Sequence, residues 1–425
     1  MRRSDLFLPA TRETRGAGTE TTKLLVRAGL VRAFGSGLWG YTPAGVRVRR
    51  KLIRRLRAGM DAVGGQRVRL PGLQPRRRWD ESGRWANFEG EMFTLENRDG
   101  KDICLAPSHE EGMVHLVDGR IRSYDDLPLL LYQIESKFRD DHARNGLVRC
   151  KEFTMKDAYS FHADEDCLDR TYGEVRAAYE RIFADLGLSF AIVEADAGVM
   201  GGSNSEEFVA PVENGSNRLV YCTANGCRFG VTDEHADFDR YTVADSCPEC
   251  GTLLAESAGT ELGHVFQLGT RYSDAMGLTI DDRAGRELPV LMGSYGIGVD
   301  RLLQTLVQQG GIDRCRWPVT DWGCVAPYRA AVVPVGYEGE VREEADRLHK
   351  RCGPEDTLLF DDPEQSVGER FAESELLGLP ATIVVGNQYR ETGLVDVETQ
   401  DGRTETVDPE AVPEVVERFA AGTTG

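Results

Sequence analysis

Lysine is nearly missing from this sequence: 7 residues, against 44 arginines, in a chain of 425. Also absent is any run of about 18 apolar residues, which a membrane helix would need. The opening MRRSDLFLPATRETRG has no apolar centre of the kind a secretory signal carries. A soluble, cytoplasmic protein with no membrane partner is expected. There is no internal repeat and no low-complexity segment. Ten cysteines in this length make no disulfide framework. Four of them, Cys222, Cys227, Cys247 and Cys250, nevertheless come as two close pairs, a pattern that suggests metal.

A formal charge of -19 speaks against a polyanionic partner, because phosphate contacts need Lys and Arg on the binding face. The average hides an asymmetry. Residues 1 to 150 hold 28 basic and 19 acidic residues, and the rest hold 23 basic and 51 acidic, so a net +9 precedes a net -28. The stretch VRVRRKLIRRLRAGM spaces Val48, Leu52, Ile53, Leu56 and Met60 as one face of a helix, with arginines on the others. Two readings stand for those arginines: a solvated face, or contact with RNA phosphates. The acidic surplus and the arginine bias also fit a salt-adapted composition, in which screening shortens repulsion.

Periodicity predicts helices near 20 to 34, 44 to 63, 108 to 118 and 164 to 187. Strands are expected near 66 to 70, 103 to 106, 131 to 138, 147 to 154, 190 to 195, 263 to 268 and 289 to 294. Strands in succession with helices grouped between them favour an α+β class built on an antiparallel sheet. From about residue 326 the texture changes to short β-branched runs (YRAAVVPV, TLLFDD, ATIVVG) alternating with helical patterns at 339 to 351 and 366 to 378. This tail reads as a separate α/β domain after the linker RCRWPVTDWGCVAPY.

Three stretches carry chemistry. In KFRDDHARNGLVRCKEF, Arg139 and Asp141 alternate before a turn and project the same way, so one site receives a guanidinium and a carboxylate. Taken alone, an exposed hairpin with a surface ion pair is the more ordinary reading. In APSHEEG, Ser108 and Glu111 fit a capping box, which leaves Glu110 without a structural task. In LMGSYGIGVDR, glycines 293, 296 and 298 join a strand to a helix opening with Asp300 and Arg301, a junction that admits an anionic ligand close to the backbone.

These stretches, with SDLFLPATRET, GLWGYTPAGVRVRRKL, ESGRW, YQIESKFRD, EFTMKDAYSFH, GHVFQLGTRYSDA and DDPEQSVGERFAESELLGLP, resemble the bacterial-type prolyl-tRNA synthetases, a class II aminoacyl-tRNA synthetase family. The likeness covers nearly the whole chain. It implies an antiparallel catalytic sheet over 1–220 and 256–322, a C-terminal anticodon-binding domain over 326–425, and a homodimer using the helix and strand that end at Pro71. It implies the substrates ATP, L-proline and tRNA(Pro), with Mg²⁺. By resemblance, Arg139 holds the α-phosphate and the proline carboxylate, and Asp141 is the acid of the same motif. Phe153 and Arg301 sandwich the adenine at the junction formed by Gly296 and Gly298. Ser108 and Glu110 occupy the positions that pair with the secondary ammonium of proline. Phe161, His162, Glu207, His264 and Ser294 match pocket walls, and Gln267 and Thr270 match ribose and phosphate contacts. On composition alone, Met155, Phe161 and Phe266 read as core, and His162 and His264 as satisfied core histidines.

The sequence departs from the family in one large respect. Only about 35 residues (221–255) stand where bacterial members carry an editing domain, so that domain is expected to be absent. What remains is CTANGC and CPEC, close to zinc-ribbon spacing; Cys222, Cys227, Cys247 and Cys250 would close a structural Zn²⁺ site with no place for water. Ser108 replaces a threonine, Asp141 a glutamate, and Glu206 a histidine beside Glu207, which would disturb the pocket if both acids pointed inward. Without editing, a pocket rejects a smaller amino acid only about 10- to 200-fold. Two alternatives keep the fold: an adenylating paralogue serving a carrier protein or another acceptor, and a non-catalytic RNA-binding descendant.

Overall fold

A computed structural model describes residues 1–11, 18–88, 91–195, 204–235 and 237–421; residues 12–14 of the SDLFLPATRET stretch lie outside them. Its centre is a nine-stranded sheet. The hairpin strands Leu129–Phe138 and Glu152–His162 pair antiparallel along their whole length, Phe138 opposite Glu152. Leu291–Gly298 follows on the far side of Glu152–His162, then the long strand Leu254–Gly269, which Asn204–Val212 and Asn217–Cys222 flank. Every ladder is antiparallel except that of Gln66–Arg67 with Leu131 and Tyr132.

Side chains alternate across a strand, and the two faces of this sheet have different fates. Lys156, Ala158, Ser160, Tyr295 and Val265 point to a helical layer made of Pro43–Asp61, Glu165–Asp185 and Val299–Gly310, where Leu52, Leu56, Tyr179, Phe183 and Leu302 are fully buried. Phe153, Met155, Asp157, Tyr159 and Ser294 point to the other face. Expectation and structure differ where local periodicity is weak. The helix expected over 20–34 ends at Arg27, because Val31–Gly35 turns into a hairpin with Leu38–Tyr41. The strand expected at 147–154 begins only at Glu152.

The basic helix Pro43–Asp61 is capped by Thr42, whose Oγ1 accepts the Gly45 N–H at 3.2 Å. Its cations are largely spent within the molecule. Arg47 donates to Pro327 O (2.8 Å) and lies over the Tyr328 ring, Lys51 donates to Ala326 O, Arg54 covers Trp322, and Arg55 pairs with Asp185. The helix is thus a tie to the C-terminal unit more than a free basic face.

That unit has a five-stranded sheet in the order Thr357–Leu359, Ala330–Pro334, Ala381–Val385, Val395–Thr399, Thr404–Val407, the first three parallel. Helices Gly339–Arg351, Val367–Leu377 and Val412–Ala421 cover it, the second opened by a Ser366/Glu369 capping box. The first residues of the chain extend this sheet: Arg2 bridges Leu359 in parallel, and Arg3 N–H reaches Leu359 O at 2.8 Å.

Candidate active site

On the face of the central sheet away from the helices lies a cavity of about 270 Å³. It is lined by Ser108, Glu110, Arg139, Phe153, His264, Ser294, Gly296, Gly298 and Arg301 among others. The hairpin delivers Arg139: its backbone N–H bonds Lys151 O (2.9 Å), its Nε approaches Pro107 O (3.4 Å), and its guanidinium lies over Phe153 at 5.4 Å. Burial, and then the nearby Arg301, depress its pKa below the ordinary arginine value. Two guanidinium groups facing one cavity define a place for anionic oxygens. Arg301 is itself anchored, with Nε on Val148 O (2.8 Å) and Nη1 on Glu261 (2.6 Å). Asp141 lies in the adjoining recess with Arg139, Phe153, Gly298 and Arg301, where its carboxylate pairs with Arg149 and accepts the His142 N–H at 2.6 Å. The glycines serve space: a Cβ at Gly296 would meet only Met155 Sδ, at 3.5 Å, and Gly298 leaves room for the stem of Arg301.

The opposite end of the cavity is acidic. Glu110 is 2% exposed and takes Arg84 Nη1 on Oε2 at 3.0 Å, while Oε1 faces Ser294 Oγ at 3.4 Å. Burial opposes its charge, yet Arg84 and the Ser108 hydroxyl hold its carboxyl below the ordinary value. The capping box is overturned. His109 stands at the N-cap without a side-chain cap bond, and Glu111 turns to Ser82 Oγ (2.7 Å) and Arg84 (3.1 Å), because a buried carboxylate gains more from a guanidinium than from a turn N–H.

Behind His264, Glu207 and Glu261 lie 3.2 and 3.7 Å from its Nδ1, and the ring stacks on Phe266 at 3.7 Å. Burial and the neighbouring Glu261 push Glu207 up to about 8. Glu206 faces the other way, held by Tyr172 OH (2.8 Å) and Arg176 Nε (2.9 Å), so the two acids do not crowd the pocket.

Two expected wall residues, Phe161 and His162, and the two expected nucleotide contacts, Gln267 and Thr270, lie off the cavity. His162 falls on the helix face of its strand, with Nδ1 3.2 Å from Cys167 Sγ, and Gln267 also faces the helices, donating to Asp169 at 2.6 Å. Phe161 points to the cavity's face of the sheet but is wholly buried in the apolar cluster beside it, with Tyr159, Met113 and Met292, and Thr270 stands at the N-cap of Arg271–Met276. Conversely, Met155 and Phe266, read as core, line the cavity, as do Arg84, Asp157 and Tyr159. The ESGRW stretch contains Arg84 but gave no role, since nothing in its spacing links residue 84 to residue 110. Cys222, Cys227, Cys247 and Cys250 converge at the far end of the long strand, with Sγ separations of 3.4 Å (Cys222 to Cys250) and 3.7 Å (Cys227 to Cys247).

The antiparallel sheet, the hairpin arginine and the strand-to-helix arginine define a class II synthetase core. Residues 93–310 match the tRNA synthetase class II core domain (G, H, P, S and T), and residues 329–419 match an anticodon binding domain. The chain is 31% identical to the proline–tRNA ligase of Moorella thermoacetica (96% of each chain) and 34% identical to that of Sulfurimonas denitrificans (93% of this chain, 94% of the relative). It therefore belongs to the proline–tRNA ligase family. The crystal structure of prolyl-tRNA synthetase from Cryptosporidium parvum complexed with halofuginone and AMPPNP shares the fold, with a TM-score of 0.73, 15% identity, and coverage of 94% of this chain and 75% of that one. The Moorella alignment runs over 554 residues, more than the 425 present, so that relative carries segments without counterpart here; the Sulfurimonas alignment runs over 418.

Proposed function

We propose that this protein joins L-proline to tRNA(Pro) through a prolyl-adenylate, with ATP as the energy source and no editing domain in the same chain. The observation that carries this reading is the convergence of Arg139 and Glu110 on one cavity, with Phe153 and Arg301 beside them. Arg139 grips the carboxylate of proline and the α-phosphate of ATP, and Glu110 accepts the ring ammonium at the other end. Held so, the carboxylate attacks phosphorus in line and pyrophosphate departs. Arg139 meets the charge that develops on the phosphoryl oxygens, and positioning supplies the rest. The adenine lies between Phe153 and the Arg301 guanidinium, over Gly296 and Gly298. The terminal ribose hydroxyl of the tRNA then attacks the activated carbonyl.

Mg²⁺ is part of the proposal, since its charge would neutralise the phosphates; Glu207 could serve as an oxygen ligand only on losing the proton that burial favours, and Glu261 only while shared with Arg301. The four cysteines suit a structural Zn²⁺: thiolates about 2.3 Å from a tetrahedral zinc sit about 3.8 Å apart, close to the two separations found. Among the described residues no helix is long and apolar enough to cross a membrane. A homodimer built on the segment ending at Pro71 is part of the proposal, and sedimentation tests it.

Proline-dependent ATP–pyrophosphate exchange, followed by charging of tRNA(Pro), tests the reading. Absence of exchange refutes it. Exchange without charging selects delivery to a carrier protein, a second reading favoured by the acidity of residues 329–419, which hold 22 acidic and 9 basic residues.

A further inference from the structure

We propose that Arg84 is a positioning residue for binding the amino-acid ammonium, by clamping one oxygen of Glu110 and leaving the other, which the Ser294 hydroxyl approaches at 3.4 Å, open to the substrate cation. The inference rests on the proline-activating reading above. Arg84 opens the short helix Arg84–Asn87 and is 6% exposed, its guanidinium within 4.9 Å of the Trp79 and Phe88 ring centres. Nη1 bridges Glu110 Oε2 (3.0 Å) and both oxygens of Glu111 (3.1 and 3.2 Å), and Nη2 reaches Ser108 Oγ at 3.0 Å. The fork thus fixes both residues that face the ammonium, and Lys could not reproduce it.

The guanidinium is shared between two carboxyls: burial raises Glu111, whereas at Glu110 burial is outweighed by Arg84 and the Ser108 hydroxyl, which hold it low, so the charge presented to the cavity sits on Glu110. A secondary ammonium hydrogen-bonds its open oxygen, whereas a neutral ring atom in its place would leave that buried acceptor unpaired, which is costly. The other groups felt at Glu110 do not supply that cation at neutral pH. Burial keeps Tyr159 and Tyr272 protonated and His109 neutral, and Arg139 lies at the carboxylate end of the pocket. With Arg84 removed, burial and Glu111 would push the Glu110 carboxyl upward, so protonation would begin nearer neutrality.

The test measures proline-dependent ATP–pyrophosphate exchange from pH 5 to 8 in the full chain and in Arg84→Met and Arg84→Lys. Arg84→Met is expected to raise KM for proline about tenfold or more, to leave KM for ATP within about twofold, and to move the acid limb of kcat/KM toward neutral pH. Arg84→Lys keeps the charge without the fork, so its acid limb returns toward wild type while KM for proline stays between the other two. A folded Arg84→Met with unchanged KM for proline and unchanged acid limb overturns the inference, as does a KM for ATP that rises in step. Should Arg84→Met fail to fold, Arg84→Lys decides, and a wild-type KM for proline there overturns it. A wild-type enzyme with no proline-dependent exchange sinks the parent reading and this inference together; exchange that is indifferent to Arg84 sinks this inference alone.

Discussion

Arg139 reaches its cavity through a backbone bond to Lys151 and a side-chain bond to Pro107, and cutting the side chain back to Cβ keeps the first and removes the second. Arg139→Ala is therefore expected to keep the hairpin folded while removing the charge that meets the developing phosphoryl oxygens. A loss of ~3 kcal/mol, or about 10²-fold in exchange rate, follows. A variant retaining more than about a tenth of the wild-type rate would contradict the assignment. His162 shows the opposite case, a residue that looked functional and is structural. It is wholly buried, and burial lowers its imidazole to about 4. The unfolded chain takes up this proton below about 6.5, so stability is present above that pH and is lost as pH falls toward 4. Replacing it with Gln should shrink the difference in unfolding free energy between pH 7 and pH 5 by about 2 kcal/mol, measured by urea titration; an unchanged difference would mean that the ring is protonated in the fold. The motif residues Arg139, Glu110 and Arg301 were legible in the sequence because each sits in a short, distinctive stretch. The face on which His162 and Gln267 fall was not, because it depends on strand register, and one bulge or one residue of phase reverses it.

At the scale of elements, the strand Leu254–Gly269 joins two sites. It leaves the cysteine cluster at Leu254, opposite Cys222, and carries Glu261 and His264 into the cavity. The sequence marked only its final third, because its first half alternates weakly and contains Gly259. The cysteine pairs of the short zinc-ribbon-like insertion at 221–255 do converge, and its strand Gly230–Thr232, with the adjoining Asn217–Cys222, also belongs to the central sheet. A metal there would fix the outer edge of that sheet. Purified protein is expected to contain about one zinc per chain, and Cys247→Ala to lose it together with several degrees of melting temperature. Zinc well below one per chain in wild-type protein, with Cys247→Ala equally stable, would leave four reduced thiols and no metal site.

For the whole molecule, the charge asymmetry of the sequence acquires a physical meaning. The basic first part of the chain meets the acidic tail: Arg2 pairs with Asp346 and, at 2.9 Å, with Asp361, Arg3 with Glu373 at 2.9 Å, and Arg47 crosses to Pro327. Composition showed that the two charges exist, but no local pattern could show that residues 2 and 3 would lie against residues 361 and 373. This clasp joins the start of the chain to the anticodon-binding unit, and we expect it to help hold that unit in place, a geometry on which charging of a long RNA depends and adenylate formation does not. The double variant Arg2→Ala, Arg3→Ala removes partly buried ion pairs whose partners then lie unpaired, at a cost of order 1 to 3 kcal/mol. Proline-dependent exchange should stay within about twofold of wild type, while kcat/KM for tRNA charging falls about tenfold or more. Equal loss in both assays would place the clasp within the catalytic core's own stability, and unchanged charging would mean that the two units hold their relation without it.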